Sequence, residues 1–394
     1  MGEQPLINLE TIRRATLKNH ITVGFTRMSK KEAGERRVFL PEFIQYLTQL
    51  GATVCLEEGY GSRSGFTFDD YHQANPHVTM CSRDEVFSQD IVMVLRAPQE
   101  EDYHLMKPGA VLISMLHYPT RPRRVDLLNS LGIKSISMDS IVNDIGLRLV
   151  EDMKAVAWNG LEIAFTRLEQ QWPDLVRPDK KPIQVLVVGT GMVGKHAVDA
   201  ATKLGNIERN NDHILAGGPG SIAIVGGRSV TGNVDIMENL LSQTDILVDA
   251  AYRRNPSIPV IPNDWITWLP EHAVITDLSV DPYTLDTDPP VVRGVEGIPQ
   301  GNLDQYVFEP DDPNWEQTIP SSIPTTNRRT TVTCYSWPGI HPEASMRHYA
   351  QQLIPLMPIL LEKGYDNLSL EGDYFERAFF RGSLRFWIEQ MHPK

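Results

Sequence analysis

With 394 residues, 41% of them hydrophobic and 22% charged, the chain has the length of two or three domains and the composition of an ordinary globular protein. A net charge of −13 without a long basic run argues against nucleic acid or an anionic membrane as a main partner, and solubility accounts for it. No apolar run reaches bilayer length, and the start of the chain, with Glu3 and Glu10, lacks the apolar centre of a secretory leader. The three cysteines, Cys55, Cys81 and Cys334, are few, odd in number and far apart, which reads as free, mostly buried thiols in a reducing cytoplasm.

In chain order, residues 1–19 are a polar lead-in, 21–25 a strand and 30–37 a charged loop ending in Glu35-Arg36-Arg37. Pro41 opens a helix with Phe43, Ile44, Leu47 and Leu50 on one face, and Gly51 ends it. A strand over 53–56 follows, with short helices over 69–74 and 83–87. The strand over 90–95 leads into Arg96, and the strand over 110–116 delivers His117. A helix over 124–131 and a strand over 135–137 complete an alternation that predicts a parallel sheet with crossover helices. Ligands of such sheets gather at the carboxyl ends of the strands, where Arg96 and His117 stand. Residues 152–171 read as a long connecting helix and 178–182 as a linker. Strands are predicted over 185–188, 221–225, 246–250, 273–275 and 330–335. Residues 206–220 read as an exposed loop and 284–324, rich in Pro and Asp, as irregular. A helix over 343–361, interrupted or kinked at Pro355 and Pro358, and another over 374–391 end the chain.

The densest chemical signal lies between Val185 and Ala197. A buried apolar strand runs into Gly189, Gly191 and Gly194 in G-x-G-x-x-G spacing, and a helix starts with Met192 and Val193. Gly189 permits the tight turn, Gly191 lets backbone approach a pyrophosphate, and Gly194 lets helix pack on strand. The helix start offers unpaired N–H groups to phosphate oxygens. The next strand ends in Gly226-Gly227-Arg228-Ser229, without the carboxylate that grips a ribose 2′-hydroxyl. Arg228 with Ser229 suits a 2′-phosphate, which favours NADP over NAD.

His117 at a strand end can act as acid or base near neutral pH, although a single histidine so placed is more often structural. Arg36 and Arg37 can hold a carboxylate through forked N–H pairs, although such a pair is more often a solvated face. Asp277 and Asp281, in Thr-Asp-Leu-Ser-Val-Asp-Pro, either face a cofactor or substrate or form the turn before Pro282. No metal-binding spacing, Walker loop or nucleophile elbow is present.

Several of these stretches together resemble the alanine dehydrogenase and pyridine nucleotide transhydrogenase family, which includes saccharopine-type dehydrogenases and N5-(carboxyethyl)ornithine synthase. The likeness rests on Gly34-Glu35-Arg36-Arg37-Val38, Glu57–Gly61, Asp69-Asp70-Tyr71, Leu116-His117, Asp277–Asp281 and His341–Ser345. It implies an α/β fold of two Rossmann-like domains with parallel sheets and a cleft between them. The substrate domain is expected over 1–150 with the C-terminal helices of 340–394 returning to it, and the dinucleotide domain over 151–339. It further implies an NAD(P)-dependent amino-acid oxidoreductase, a 2-oxo acid plus ammonia or an amino acid as substrates, and a homo-oligomer. By the same resemblance Arg37 binds the substrate carboxylate, His117 is the acid/base, and Asp281 orients substrate or nicotinamide, while Asp277 accompanies the cofactor. One departure stands out: Leu95-Arg96-Ala97-Pro98 replaces a family run that carries a lysine. An arginine can polarise a carbonyl but not exchange protons, so a second proton-transfer group is sought elsewhere, and Lys154 is the candidate. The competing expectation is a protein that binds dinucleotide without turnover; half of a proton-pumping transhydrogenase ranks lowest.

Overall fold

The computed structural model describes residues 21–28, 34–73 and 77–391. The lead-in of 1–19, residues 30–33 of the charged loop and Ala74 at the end of a predicted helix lie outside the described residues. Two compact units result: one holds the strand over 21–28 with 36–151 and 341–391, the other 34–35 with 152–340.

The strands of the first unit are β1 (Thr22–Phe25), β2 (Thr53–Glu57), β3 (Val78–Cys81), β4 (Ile91–Arg96), β5 (Val111–Met115) and β6 (Lys134–Ser137). They form one six-stranded sheet in the order β3-β2-β1-β4-β5-β6, and every pairing is parallel. Crossover helices such as Pro41–Gln49, Arg83–Phe87 and Pro122–Ser130 connect them. Because the sheet is covered on both faces, its central strands are apolar throughout, as in Ile91-Val-Met-Val-Leu95. On one face Phe25, Phe43 and Leu47 share a core with Leu353, Met357, Leu360 and Phe379, so the C-terminal helices complete this unit. On the other, Val92, Leu112 and Leu116 pack with Tyr118, Leu128 and Leu384.

The second unit contains β7 (Ile183–Val188), β8 (Ser221–Gly226), β9 (Ile246–Asp249), β10 (Val274–Asp277), β11 (Val307–Phe308) and β12 (Thr330–Thr333). Their order is β11-β12-β10-β9-β7-β8, parallel except for the short antiparallel β11. The helix Met153–Gln171 covers one face through Ala157, Leu161, Ala164 and Leu168. Both units are therefore Rossmann-like, with chain reversals that leave strand ends on one edge of each sheet.

Three expectations need correction. Residues 206–220 are not a loop: the helix Ile207–Leu215 forms there, because the Asn206 side chain accepts hydrogen bonds from the amides of Glu208 and Arg209. The segment 343–361 is, by contrast, interrupted as expected, into the helices Pro342–Leu353 and Met357–Lys363, where Pro355 and Pro358 remove donors. The segment 374–391 is also two, Tyr374–Arg381 and Leu384–Met391. Between them the Gly382 carbonyl accepts from the Ser137 amide at 2.8 Å and Ser383 bridges to Ile136, so the chain pairs with β6 instead of continuing to coil. A side chain at Gly382 would meet Ile141 at 2.7 Å.

The third concerns the thiols. Cys55 and Cys81 form a disulfide with Cα atoms 5.9 Å apart, and Cys334 is free and buried. In the β2–β3 register Cys55 faces Thr79 and Glu57 faces Cys81, so the cysteines stand diagonally across neighbouring strands, a proximity that their sequence separation of 26 conceals. Free thiols thus no longer support a reducing compartment. After unfolding without reductant, one thiol per chain is expected to take up iodoacetamide, rising to three after reduction, as read by intact mass; three without reduction would refute the pairing.

Candidate functional site

In the first unit the functional groups collect where β4, β5 and β6 end. Arg96 closes β4, with Met115 of β5 as its register partner, and the chain leaves β5 through Leu116 into His117. That exit is firmly held. The Leu116 amide donates to Ser137 Oγ at 3.0 Å, and its carbonyl accepts from an Arg124 guanidinium nitrogen at 2.8 Å. His117 then adopts left-handed backbone, φ 52°, a conformation costing a non-glycine residue about 1–2 kcal/mol. Asp139, in the short turn after β6, compensates: its carboxylate accepts from the His117 amide at 3.2 Å and faces Nδ1 of the ring at 3.2 Å.

Asp139 is 7% exposed and also accepts from Ser137 Oγ at 2.6 Å. Burial by itself raises its pKa. The His117 hydrogen bond and charge, the Ser137 hydroxyl and the His117 amide overcome that and hold it down at about 2. The result is a fixed carboxylate beside an imidazole whose side chain is 52% exposed. With Nδ1 turned to Asp139, Nε2 is the ring nitrogen presented outward. Asp139 is the principal residue that sequence reasoning missed. It lies on a different strand end from His117, and no spacing signals their meeting.

In the second unit the G-x-G-x-x-G turn has the geometry expected of it. Gly189 has φ 117°, and a Cβ there would lie 2.3 Å from the Ala250 carbonyl oxygen. A Cβ at Gly194 would lie 2.3 Å from the Gly189 carbonyl oxygen, whereas Gly191 has nothing within 4 Å of its Cβ position. Gly191 caps the helix Met192–Ala201 with no side-chain hydrogen bond, leaving first-turn amides for another acceptor. A depression of about 1020 Å³ opens there, lined by Gly189, Gly191, Gly227, Arg228, Tyr252 and Trp265 among others. Met192 is exposed, Val193 half-buried and Ser229 exposed, next to Arg228, whose guanidinium reaches the Tyr252 carbonyl at 3.4 Å. A glycine turn that only backbone could fill, an uncapped helix start and a cation beside them fit a dinucleotide phosphate.

The other anticipated residues are placed as follows. Asp281, its side chain 37% exposed, pairs with Arg253 at 2.7 Å, and Arg253 also lines the depression. Asp277 is 1% exposed and forms an ion pair with Arg293, which also donates to Thr333 Oγ1 at 2.7 Å. Lys154 is exposed, with its ammonium 5.7 Å from the Trp158 ring centre. In the first unit Arg37 is buried at 5% exposure and Arg36 is exposed. Among the described residues no group of three or more His, Cys, Asp or Glu side chains is arranged to hold a metal ion.

Asp249, at the end of β9 and in register with both Val188 and Asp277, was not anticipated. It is 1% exposed, accepts from the Ala251 amide at 3.0 Å, and its second oxygen has no hydrogen-bond partner. Burial, reinforced by the Asp277 charge, pushes it up to about 7. A raised carboxyl pKa means that the folded state keeps a proton which the unfolded state releases. Stability is therefore highest below the ordinary carboxylate range, falls as pH rises toward 7 and then levels. Asp249→Asn is expected to stabilise the protein by about 2–4 kcal/mol at pH 8 and little at pH 4, by denaturant titration; a pH-independent difference would contradict the assignment.

Residues 28–157 match the family profile described as "Alanine dehydrogenase/PNT, N-terminal domain". The chain is 22% identical to the NAD(P) transhydrogenase subunit alpha of Haemophilus influenzae, over 87% of this chain and 66% of that protein. It is 24% identical to the alanine dehydrogenase of Staphylococcus haemolyticus, over 63% of this chain and 69% of that one. It thus spans just under two thirds of the transhydrogenase subunit. Among solved structures, an L-alanine dehydrogenase has the same fold with a TM-score of 0.68 at 21% identity, covering 92% of this chain and 94% of its own. A transhydrogenase from Sinorhizobium meliloti follows at 0.59 and 16% identity, covering 86% and 94%. Residues 28–157 thus match the alanine dehydrogenase/PNT N-terminal domain, and the chain is similar to these relatives in sequence and to these structures in fold.

Proposed function

We propose that this protein is an NAD(P)-dependent amino-acid oxidoreductase acting on a CH–NH bond, joining a 2-oxo acid to ammonia or to an amino acid, or running the reverse. The observation that carries the reading is His117: an exposed imidazole at a parallel strand end, strained in its backbone and locked through Nδ1 to a buried carboxylate. A merely structural histidine needs neither the strain nor the outward Nε2.

A nicotinamide dinucleotide held by Gly189, Gly191 and the helix start would supply a hydride, so that oxo acid, amine, hydride and proton become the CH–NH product and water. The chain's own residues handle the rest. His117 Nε2 gives a proton to the substrate carbonyl oxygen as the amine adds, which lets that oxygen leave as water, and takes one back from water in reverse. Asp139 keeps the ring oriented, as carboxylates do in other acid/base histidine sites. Arg37 binds the substrate carboxylate, Arg96 polarises the carbonyl, and Asp281 orients the reacting centre. Arg96 cannot exchange protons, which places both proton transfers on His117 or on water.

The test is an absorbance screen of purified protein with NADPH or NADH, 2-oxo acids, and ammonia, ornithine or lysine. Turnover with ammonia identifies a simple dehydrogenase; turnover that requires an amino acid identifies an opine-type enzyme. Tight dinucleotide binding with no turnover across the panel would refute the oxidoreductase reading in favour of a binding protein, which the arginine at position 96 motivates. His117→Ala and Asp139→Asn are each expected to lower kcat by about 10²-fold or more while dinucleotide affinity is unchanged. Arg228 and Ser229 favour NADPH, so Arg228→Ala should weaken NADPH by about tenfold or more and NADH by less than about twofold, measured by fluorescence titration.

A further inference from the structure

The depression at the glycine turn of the second unit is braced from behind. The chain leaving β9 forms one of its walls, where Ala250 and Ala251 line it together with Gly189. Asp249, the last residue of β9, fixes this exit with its side chain: Oδ1 accepts from the Ala251 amide at 3.0 Å. The Ser279 hydroxyl, two residues beyond β10, donates to the Ala251 carbonyl at 3.1 Å and lies 3.2 Å from the same Asp249 oxygen. Ala251 is thus gripped at both its N–H and its C=O. The backbone adds to the grip. The Asp249 carbonyl accepts from the amides of Leu278 and Ser279 at 2.8 and 3.1 Å, and the Ala250 amide donates to the Val188 carbonyl at 2.8 Å. One residue further on, the Tyr252 carbonyl accepts from Arg228, which also lines the depression.

Asp249 itself stands behind this wall, buried, with Oδ2 lacking a partner among the described residues. The charged groups that face it are Asp277, its register partner on β10, and Asp281 in the turn beyond. Each of those already has a guanidinium counter-ion, Arg293 for Asp277 and Arg253 for Asp281. An ionised Asp249 is therefore a buried charge without a cation of its own, and loosening of the strand end relieves it. The described residues that line the depression include no histidine, cysteine, lysine or carboxylate. A change of charge near neutral pH thus comes from behind the wall, where Asp249 is held up at about 7 by burial and by Asp277.

We propose that Asp249 and Ser279 are positioning residues of the dinucleotide site: they set the Ala251 wall beside the glycine turn, and that wall holds best while Asp249 is uncharged. The inference rests on the dinucleotide reading of Gly189 and Gly191. Neither side chain touches the ligand; both act through Ala251. A pyrophosphate brings negative charge to a turn that packs on Ala250, so its binding favours the neutral Asp249 carboxyl. By linkage the protonated protein binds more tightly. Affinity is greatest at acid pH and falls as pH rises through neutrality, and binding near pH 7 takes up part of a proton.

The experiment is calorimetric titration of the full-length protein with ADP-ribose, which carries the pyrophosphate without a nicotinamide or a 2′-phosphate and keeps its charge from pH 6 to pH 8.5. Each titration is run in two buffers of different ionisation enthalpy, which reads the proton taken up. The parent protein should lose affinity by about fivefold or more between pH 6 and pH 8.5 and take up protons at pH 7. Asp249→Asn keeps an acceptor for the Ala251 amide and cannot ionise. It should bind at pH 6 within about twofold of the parent, with a flat profile and no proton uptake. Ser279→Ala should weaken binding by about threefold or more at both pH values while keeping the slope. Equal parent affinity at pH 6 and pH 8.5, or a parent-like slope in Asp249→Asn, would overturn the proposal and leave the dinucleotide reading standing. So would parent-like binding by Ser279→Ala. Absence of binding by the parent at every pH would overturn both.

Discussion

A parallel strand can be left only by crossing over the sheet, because its neighbour runs the same way and the chain must return to the starting edge. Both sheets of this protein are built on that constraint, and everything chemical in the molecule follows from it. Helices cover both faces, which buries the central strands and leaves most side-chain chemistry at the edge where the strands stop. In the first unit that edge carries Arg96, His117 and Asp139; in the second it carries the glycine turn after β7, Asp249 after β9 and Asp277 at the end of β10. The apolar strands themselves contribute rigidity. They hold each strand end still enough for a left-handed histidine and a positive-φ glycine to persist.

Two buried carboxylates have opposite fates, and much of the difference lies in what faces them. Asp139 meets an imidazole, a hydroxyl and an amide, and remains ionised far below the ordinary range. Asp249 meets another carboxylate, with one oxygen unsatisfied, and holds its proton toward neutrality. Asp277, between them in chemistry, has Arg293 as counter-ion and Thr333 as further support. Burial sets the cost of a charge, and the partner decides whether the group bears that cost or sheds its charge. This is why Asp139 suits a role beside a reacting group, whereas Asp277 with Arg293 suits the stiffening of a strand end.

The alternation of strands and helices, and the glycine motif with its context, were legible in the sequence because each is a local pattern with a fixed period or spacing. So was His117, delivered by an apolar run that must end somewhere. Asp139, Asp249 and Arg293 were not, since each acquires its meaning from a residue on another strand: His117, Asp277 on the neighbouring strand, and Asp277 again from a long irregular segment. The helix Ile207–Leu215 was hidden by a polar composition that reads as loop until the Asn206 cap is recognised. The break at Gly382 was hidden because tertiary pairing with β6 overrides a helical period that runs through it. The disulfide was misread for the same reason, the distance along the chain masking adjacency across it.

The position of the C-terminal helices sets an order of events at the ribosome. Residues 152–340 carry their own cores and can collapse as soon as they emerge. The unit that begins first cannot finish first: Phe25, Phe43 and Leu47 lack the wall that Leu353, Met357, Leu360 and Phe379 provide until the last stretch has been made. Until then the nascent protein carries a half-open sheet with an uncovered apolar face, and its later-made neighbour is complete before it. The interval is longest for β1, the first strand of the sheet that positions His117, so that sheet is begun first and completed last.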